Sequence, residues 1–168
     1  AIDDDAAAPP AIAITSPRNL EFVSILGLYQ QSVSYDSLGD IDATVPTVVV
    51  DMSGNADVLG RLHRHLNDNM LRCINVGLTH WDEMGTGDGI ITERSEFFFA
   101  PSHIQQRLKD WGPEEFSKKT SNFMQETAMK SSQWLELRRL DGLQGLADIY
   151  SEVCAGRIAA HEGLILEL

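Results

Sequence analysis

The apolar positions of the chain fall into short runs of strand length separated by stripes at helical spacing. Ala11-Ile12-Ala13-Ile14-Thr15 is the first run, and Ser16-Pro17 behind it sets an N-cap followed by Pro at the first helical position. Leu20, Val23 and Leu26 then recur at helical spacing until Gly27 stops the helix. Ser32-Val33-Ser34-Tyr35 alternates as a short strand, and Asp36 to Pro46 is a polar connector. Thr47-Val48-Val49-Val50-Asp51 reads as a buried strand that ends in the small polar stretch Met52-Ser53-Gly54-Asn55. A helix is predicted from about Asn55 to Asn67, with Val58, Leu59, Leu62 and Leu66 on one face. Leu71 to Val76 is the next strand, ending in Gly77-Leu78-Thr79-His80.

Residues 82–94 break this rhythm. Gly85, Gly87 and Gly89 miss the GxGxxG spacing and do not lie between a strand and a helix start, so a phosphate cradle is weakly supported. Met84 and Thr86 stand where a calcium loop needs carboxylates or amides. Ser95 to Ala100 is a strand with three successive Phe residues, read as core. Ser102 caps a short helix, and Pro113 to about Ser131 forms a longer one with Phe116 and Phe123 as core anchors. Leu135 to Arg138 alternates as a strand, a helix carrying Leu143, Leu146, Tyr150 and Val153 stops at Gly156, and Gly163 to Leu168 closes as a strand.

Strands alternating with helices across short connections predict an α/β fold. The expectation is Rossmann-like: a mostly parallel sheet with helices on both faces. Its length of 168 residues suits one domain with a real core, residues 11–168, behind a flexible acidic arm at residues 1–10. The formal charge of −12 argues against nucleic acid or an anionic membrane surface as partner, and solubility alone accounts for it. No apolar run reaches transmembrane length and no charged-then-apolar leader is visible. Ala rather than Met comes first, as in a processed product or a piece of something longer, and a cytoplasmic protein is expected. Cys73 and Cys154 lack CxxC spacing and read as buried structural thiols.

Candidate chemistry follows from the strand order. If the strands are parallel, Thr15/Ser16/Arg18, Tyr35/Asp36, Asp51/Met52/Ser53/Gly54 and Gly77/Thr79/His80 share one sheet edge, where open α/β sheets bind ligands. The plain alternative is that strands give way to polar turns in any case, and Ser16, Gly54 and Gly77 also serve as cap and turn residues. His80 is a candidate general acid or base, with Asp82 or Asp51 to orient it, against the alternative of a hydrogen-bonded structural histidine. His63 and His65 point to different helix faces, cannot jointly hold a metal and are expected at the surface. No zinc spacing, nucleophile elbow or paired-carboxylate helix is present, so no metal is expected.

The stretches ITSPRNLEFVSILGLYQQSVSYD, TVVVDMSGN, INVGLTHWD, SEFFFAP and KDWGPEEF resemble the C-terminal half of a family of uncharacterised proteins. That family is related to the medium-chain dehydrogenase/reductases, with quinone oxidoreductases as its nearest familiar relatives. The resemblance runs from about Ala11 to Leu168 and implies an NADP-dependent, oxidoreductase-like protein acting on a small-molecule substrate. It implies that Ser16 and Arg18 bind the 2′-phosphate of NADP, where the Arg fork matches a phosphate. It further implies that Tyr35 lies near the adenosine, that Ser53 and Gly54 face the ribose and pyrophosphate, and that Gly77, Phe98 and Phe99 flank the nicotinamide. For Arg18 a solvated helix-start residue is the alternative, and for the Phe residues a core role.

This chain departs from the family in lacking the first βα unit with its Gly-rich phosphate loop, and the catalytic domain before it. The absent strand is the central one in the order 3-2-1-4-5-6, so strands 11–15 and 47–51 would flank a gap. Three outcomes are open: the flanking strands pair directly, a second copy or N-terminal partner fragment supplies the strand, or the chain is part of a longer enzyme. Closure or a homodimer is the expectation. The alternatives in function are a remodelled small-molecule-binding or cofactor-free isomerase- or cyclase-type enzyme using His80, and a non-catalytic module that pairs by strand addition.

Overall fold

A computed structural model describes residues 8–77 and 88–168. The fold is α/β, and every strand pair in the described residues is parallel. Two compact units divide the chain, one reaching to Asp110 and the other running from Trp111 to Leu168. The predicted arm lies outside the described residues over positions 1–7.

In the first unit, β1 (Ile12–Thr15) leads through a single turn of 3-10 helix, Pro17–Asn19, into α1 (Leu20–Ile25). Ser16 takes the N-cap position with Pro17 behind it, as its sequence predicts, though its hydroxyl makes no capping bond. Gly27 ends the segment with φ of 65°, a left-handed conformation that glycine adopts without a Cβ penalty. β2 (Gln31–Ser34) then pairs with β1, setting Ile14 beside Val33 and Thr15 beside Ser34. The second sheet is β3 (Thr47–Asp51), β4 (Met70–Asn75) and β5 (Ser95–Phe97), in that order. β1 and β3 do not pair with one another, so the flanking strands have not closed into one sheet. The expected sheet is therefore present as separate parallel pieces.

A shared core joins the pieces. α2 (Ala56–Leu66) turns Val58, Leu62 and Leu66 onto Val49 of β3 and Met70 and Cys73 of β4, and Val33 of β2 belongs to the same cluster. Full burial of side chains of this size contributes about 1.5–3 kcal/mol each. The helix starts where the sequence places it, because the Asn55 side chain accepts the Val58 N–H at 3.0 Å. The connector between β2 and β3 is less polar in effect than in composition. Its 3-10 turn, Tyr35–Asp40, and the residue after it bury Leu38 and Ile41 in the core. The His65 Nε2–H reaches the Ile41 carbonyl at 2.7 Å and Asn69 donates to the Ala43 carbonyl at 2.9 Å, which fixes the connector against α2 and the turn that follows it.

The Phe strand is shorter than predicted. α3 (Ala100–Trp111) begins directly after Phe99, so Ser102 lies inside the helix and its hydroxyl donates back to the Phe99 carbonyl at 2.9 Å. Phe97 and Phe99 are exposed and Phe98 stacks on His103 with ring centroids 4.3 Å apart, so the expected core role does not hold for these rings.

The second unit begins at the end of α3. α4 (Pro113–Ser131) has the predicted bounds, with Pro at its start behind Gly112. Its Phe anchors are not core: no α4 residue is buried, and Phe123 is 54% exposed. β6 (Glu136–Asp141), α5 (Gly142–Cys154) and β7 (Glu162–Glu167) form one βαβ unit with Leu140 and Ile149 as its buried residues. Arg139 pairs with Glu167 across the two strands. Cys154 is exposed, whereas Cys73 is fully buried, so only one of the two thiols is interior.

The core and the exposed helix give opposite expectations for truncation. Leu66→Ala, at a fully buried site, is expected to cost about 2–5 kcal/mol in urea unfolding followed at the first unit's core. Phe123→Ala is expected to stay within about 1 kcal/mol. Comparable losses for both would overturn this assignment of the core.

Candidate functional site

The end of β3 is closed by its own last residue. Asp51 is buried, and its Oδ1 accepts the Ser53 N–H at 2.9 Å, the Ser53 hydroxyl at 3.0 Å and the Gly54 N–H at 3.1 Å. Oδ2 lies 3.0 Å from the same Gly54 nitrogen. The Asp51 carbonyl takes the N–H of Val76 at 2.8 Å and of Gly77 at 3.2 Å. One residue thus ties the turn after β3 to the end of β4. An Asx-type turn of this kind is what an Asp at a strand end followed by Ser-Gly favours. Gly54 completes it at φ of 71°, and the Ser53 hydroxyl accepts the Asn55 N–H at 3.2 Å at the threshold of α2.

Gly77 sits against this turn so closely that a Cβ would collide with the Met52 carbonyl oxygen. The candidates Asp51, Ser53, Gly54 and Gly77 are therefore brought together at one strand end. Tyr35, at the end of β2, joins them electrically. Partial burial, and after it the negative charge of Asp51, raise its hydroxyl above the ordinary tyrosine range. Its carbonyl accepts from Arg61 of α2 at 3.0 Å, and Arg61 also pairs with Asp57 at 3.0 Å.

Ser16 and Arg18 stand at the end of β1, in the 3-10 turn, where Arg18 is exposed and the Ser16 carbonyl accepts the Asn19 N–H at 3.0 Å. Phe98 follows β5, its N–H bonded to the Asn75 carbonyl at 2.9 Å, and Phe99 precedes α3. Thr79, His80 and Asp82 lie outside the described residues, as do Met84 to Gly87 of the glycine loop. Among the described residues no cluster of His, Cys, Asp and Glu is arranged to hold a metal ion.

One titratable group departs from the sequence expectation. His63 is not at the surface but fully buried, at 0% exposure, within α2. Its Nδ1 accepts the Ile91 N–H at 3.0 Å, which places the imidazole hydrogen on Nε2. Desolvation pushes its proton affinity below the usual histidine range, and the Asp51 charge opposes that shift without cancelling it. Cys73 answers to the same surroundings, its thiol pushed up to about 11 by burial and then by Asp51. The signal for His63 was present: it lies four residues after Leu59 and three before Leu66, on the flank of the apolar stripe rather than opposite it.

The chain belongs to the DUF2855 family. This family, a group of proteins of unknown function, matches residues 2–159. No curated protein and no solved structure matches the chain. The DUF2855 match spans every described candidate above, extends through α5 and ends before β7, so it covers the first unit almost entirely and the second in part.

The geometry assigns Asp51 a measurable load. Hydrogen bonds to a charged group contribute about 1.5–3 kcal/mol, and Asp51 holds more than one. Asp51→Ala is expected to destabilise the first unit by about 2–4 kcal/mol in denaturant unfolding. Gly77→Ala is expected to be destabilising by more than 1 kcal/mol, whereas Gly39→Ala, where the added methyl meets open space, should be neutral or slightly stabilising. Equal effects at the two glycines would contradict the close approach at Met52.

Proposed function

We propose that the chain is the cofactor-binding part of an NADP-dependent, oxidoreductase-like protein of the medium-chain reductase type, acting on a small-molecule substrate. The observation that carries this reading is the Asp51–Gly54 turn with Gly77 packed against it, at the converging ends of parallel strands β3 and β4. Tyr35 at the end of β2 lies within reach of the Asp51 charge. Strand ends of a parallel sheet are where α/β proteins bind dinucleotides. Strand order adds support: one further parallel strand between β1 and β3 would turn the observed pieces into the order 3-2-1-4-5-6. In such a protein the cofactor supplies the hydride chemistry when bound. The residues of this chain contribute binding: Arg18 reaches a 2′-phosphate with Ser16 beside it, and Ser53 and Gly54 face a ribose. Phe98 and Phe99 wall the nicotinamide side.

A second reading is favoured by one observation. Among the described residues β1 and β3 each leave an edge unpaired, and Val48 and Val50 on the open face of β3 are 52% and 57% exposed. Parallel strands are ordinarily covered on both faces, and a free edge is a template for an added strand. In this reading the chain acts as an interaction module, completed by a second copy or by a partner strand. A dimer that survives dilution to nanomolar concentration, measured by light scattering, would favour it.

NADPH titration tests the first reading. Saturable enhancement of cofactor fluorescence is expected, and Arg18→Ala should weaken NADPH by about 10–100-fold, the equivalent of one charged hydrogen bond, with little effect on NADH. No saturable binding at millimolar NADPH, or equal losses for both cofactors, would reject the phosphate role.

A further inference from the structure

We infer that His63 is a pH-sensitive latch that holds the segment from Asp88 to Ser95 against α2. The segment lies directly on the helix. Gly60 is the point of contact, since a Cβ there would collide with the Asp88 carbonyl oxygen. The Arg64 guanidinium donates to that same carbonyl and stands 3.5 Å from the Asp88 carboxylate. One helical step along, His63 Nδ1 receives the Ile91 N–H at 3.0 Å, and the Ile91 side chain packs on the core. The segment is then tied onward. Ser95 donates its hydroxyl to the Ile91 carbonyl at 2.8 Å, and Arg94 donates to the carbonyls of Asn67, Asp68 and Met70 at 3.0–3.2 Å.

The latch depends on the protonation of one nitrogen. Nδ1 accepts only while it carries no proton, so the closed state needs the neutral imidazole with hydrogen on Nε2. Among the described residues no group accepts from that buried Nε2. A second proton turns Nδ1 from acceptor to donor, facing the Ile91 N–H, and places a charge where water does not reach. Both effects release the segment.

Other charged and titratable groups around the core bear on this in different ways. Asp51 of β3 favours the imidazolium, but burial outweighs it. Cys73 of β4 and Tyr35 after β2 have proton affinities raised further above neutrality and stay uncharged. On α2 itself, Arg64 is engaged with Asp88 and the His65 Nε2–H with the Ile41 carbonyl. Arg94 and Asp68, at the far end of the segment, pair with each other at 3.5 Å.

The direction with pH follows from the lowered proton affinity of the latched histidine. A released imidazole titrates near 6.5, and the latched one below that value. The latch is at full strength above about pH 6.5 and weakens as pH falls from there toward the lower latched value, below which the loss is constant.

Amide hydrogen exchange read by NMR, with the His63 imidazole titrated in the same samples, tests this. As pH is lowered from about 7.5 through 6.5 toward the midpoint of the His63 titration, the protection factor of the Ile91 amide is expected to fall at least about tenfold. The Val49 and Met70 amides should keep theirs. His63→Asn offers its Oδ1 as an acceptor near the place of Nδ1 and does not titrate, so protection in that variant should be flat with pH. The inference is overturned if Ile91 protection does not change with pH, if it falls equally in His63→Asn, or if Val49 and Met70 lose protection together with Ile91. The titration of the unmodified protein decides the matter even if the variant fails to fold, because Ile91 protection must fall only between about pH 6.5 and the imidazole's own midpoint and stay constant below it.

Discussion

The carboxylate of Asp51 sets the terms for everything around it. It is buried at the end of β3, and the turn that follows exists because its oxygens collect the N–H groups of Ser53 and Gly54. Its carbonyl does the same for Val76 and Gly77 at the end of β4. A charge in that position is tolerable only with several donors around it, since an unpaired buried carboxylate costs far more than any one contact returns. Burial raises Tyr35 and Cys73, and the same charge adds to that effect across the core while working against the desolvation of His63. The polar end of the first unit is thus one electrostatic neighbourhood built on a single ion.

A second constraint comes from parallel pairing. Each parallel strand offers two faces, and stable parallel α/β sheets cover both. Here the core face of β3 and β4 is covered by α2, which buries Val49, Met70 and Cys73. On the opposite face Val48 and Val50 stand half exposed beside the Arg72–Glu96 pair that bridges β4 and β5 at 3.5 Å. Among the described residues no strand lies between β1 and β3. The finished side of the sheet belongs to α2, and the open side and edges are surfaces that another strand or helix would suit.

What the sequence made legible is what local physics decides. The stripe of Val58, Leu62 and Leu66 behind Asn55 gave α2 to within a residue, because cap and periodicity agree there. Pro113 gave the start of α4 for the same reason. Tertiary choices were not legible. Leu38 and Ile41 lie in a connector of polar composition, yet the chain turns them inward because α2 passes above. Phe123 and the Phe97–Phe99 run have core chemistry, and nothing in the described residues covers Phe97, Phe99 or Phe123 enough to bury them. Burial of an apolar residue depends on a neighbour that periodicity cannot name. His63 illustrates the converse: a polar residue beside an apolar stripe was drawn inside because the Ile91 N–H needed an acceptor. At the site, the clustering of Asp51, Ser53, Gly54 and Gly77 was legible as polar residues at strand ends. That the Asp51 side chain is consumed by its own turn was not.

That consumption restricts what the site can recognise. In many dinucleotide folds, backbone N–H groups at a helix start meet a phosphate. At this strand end the Ser53 and Gly54 N–H groups are already bound to Asp51, and Asp57 puts another negative charge in the first turn of α2. A phosphate there would meet spent donors and two carboxylates. A hydroxyl-bearing group such as a ribose can instead donate to the carboxylate edge without repulsion. Any phosphate recognition by the described residues of this region is therefore left to cations outside the turn, such as Arg18, exposed at the end of β1 with Ser16 beside it, and Arg61, bonded to the Tyr35 carbonyl after β2. The resemblance implies ribose and pyrophosphate together at Ser53–Gly54, and the electrostatics of Asp51 favour a sugar hydroxyl at that turn and disfavour the pyrophosphate.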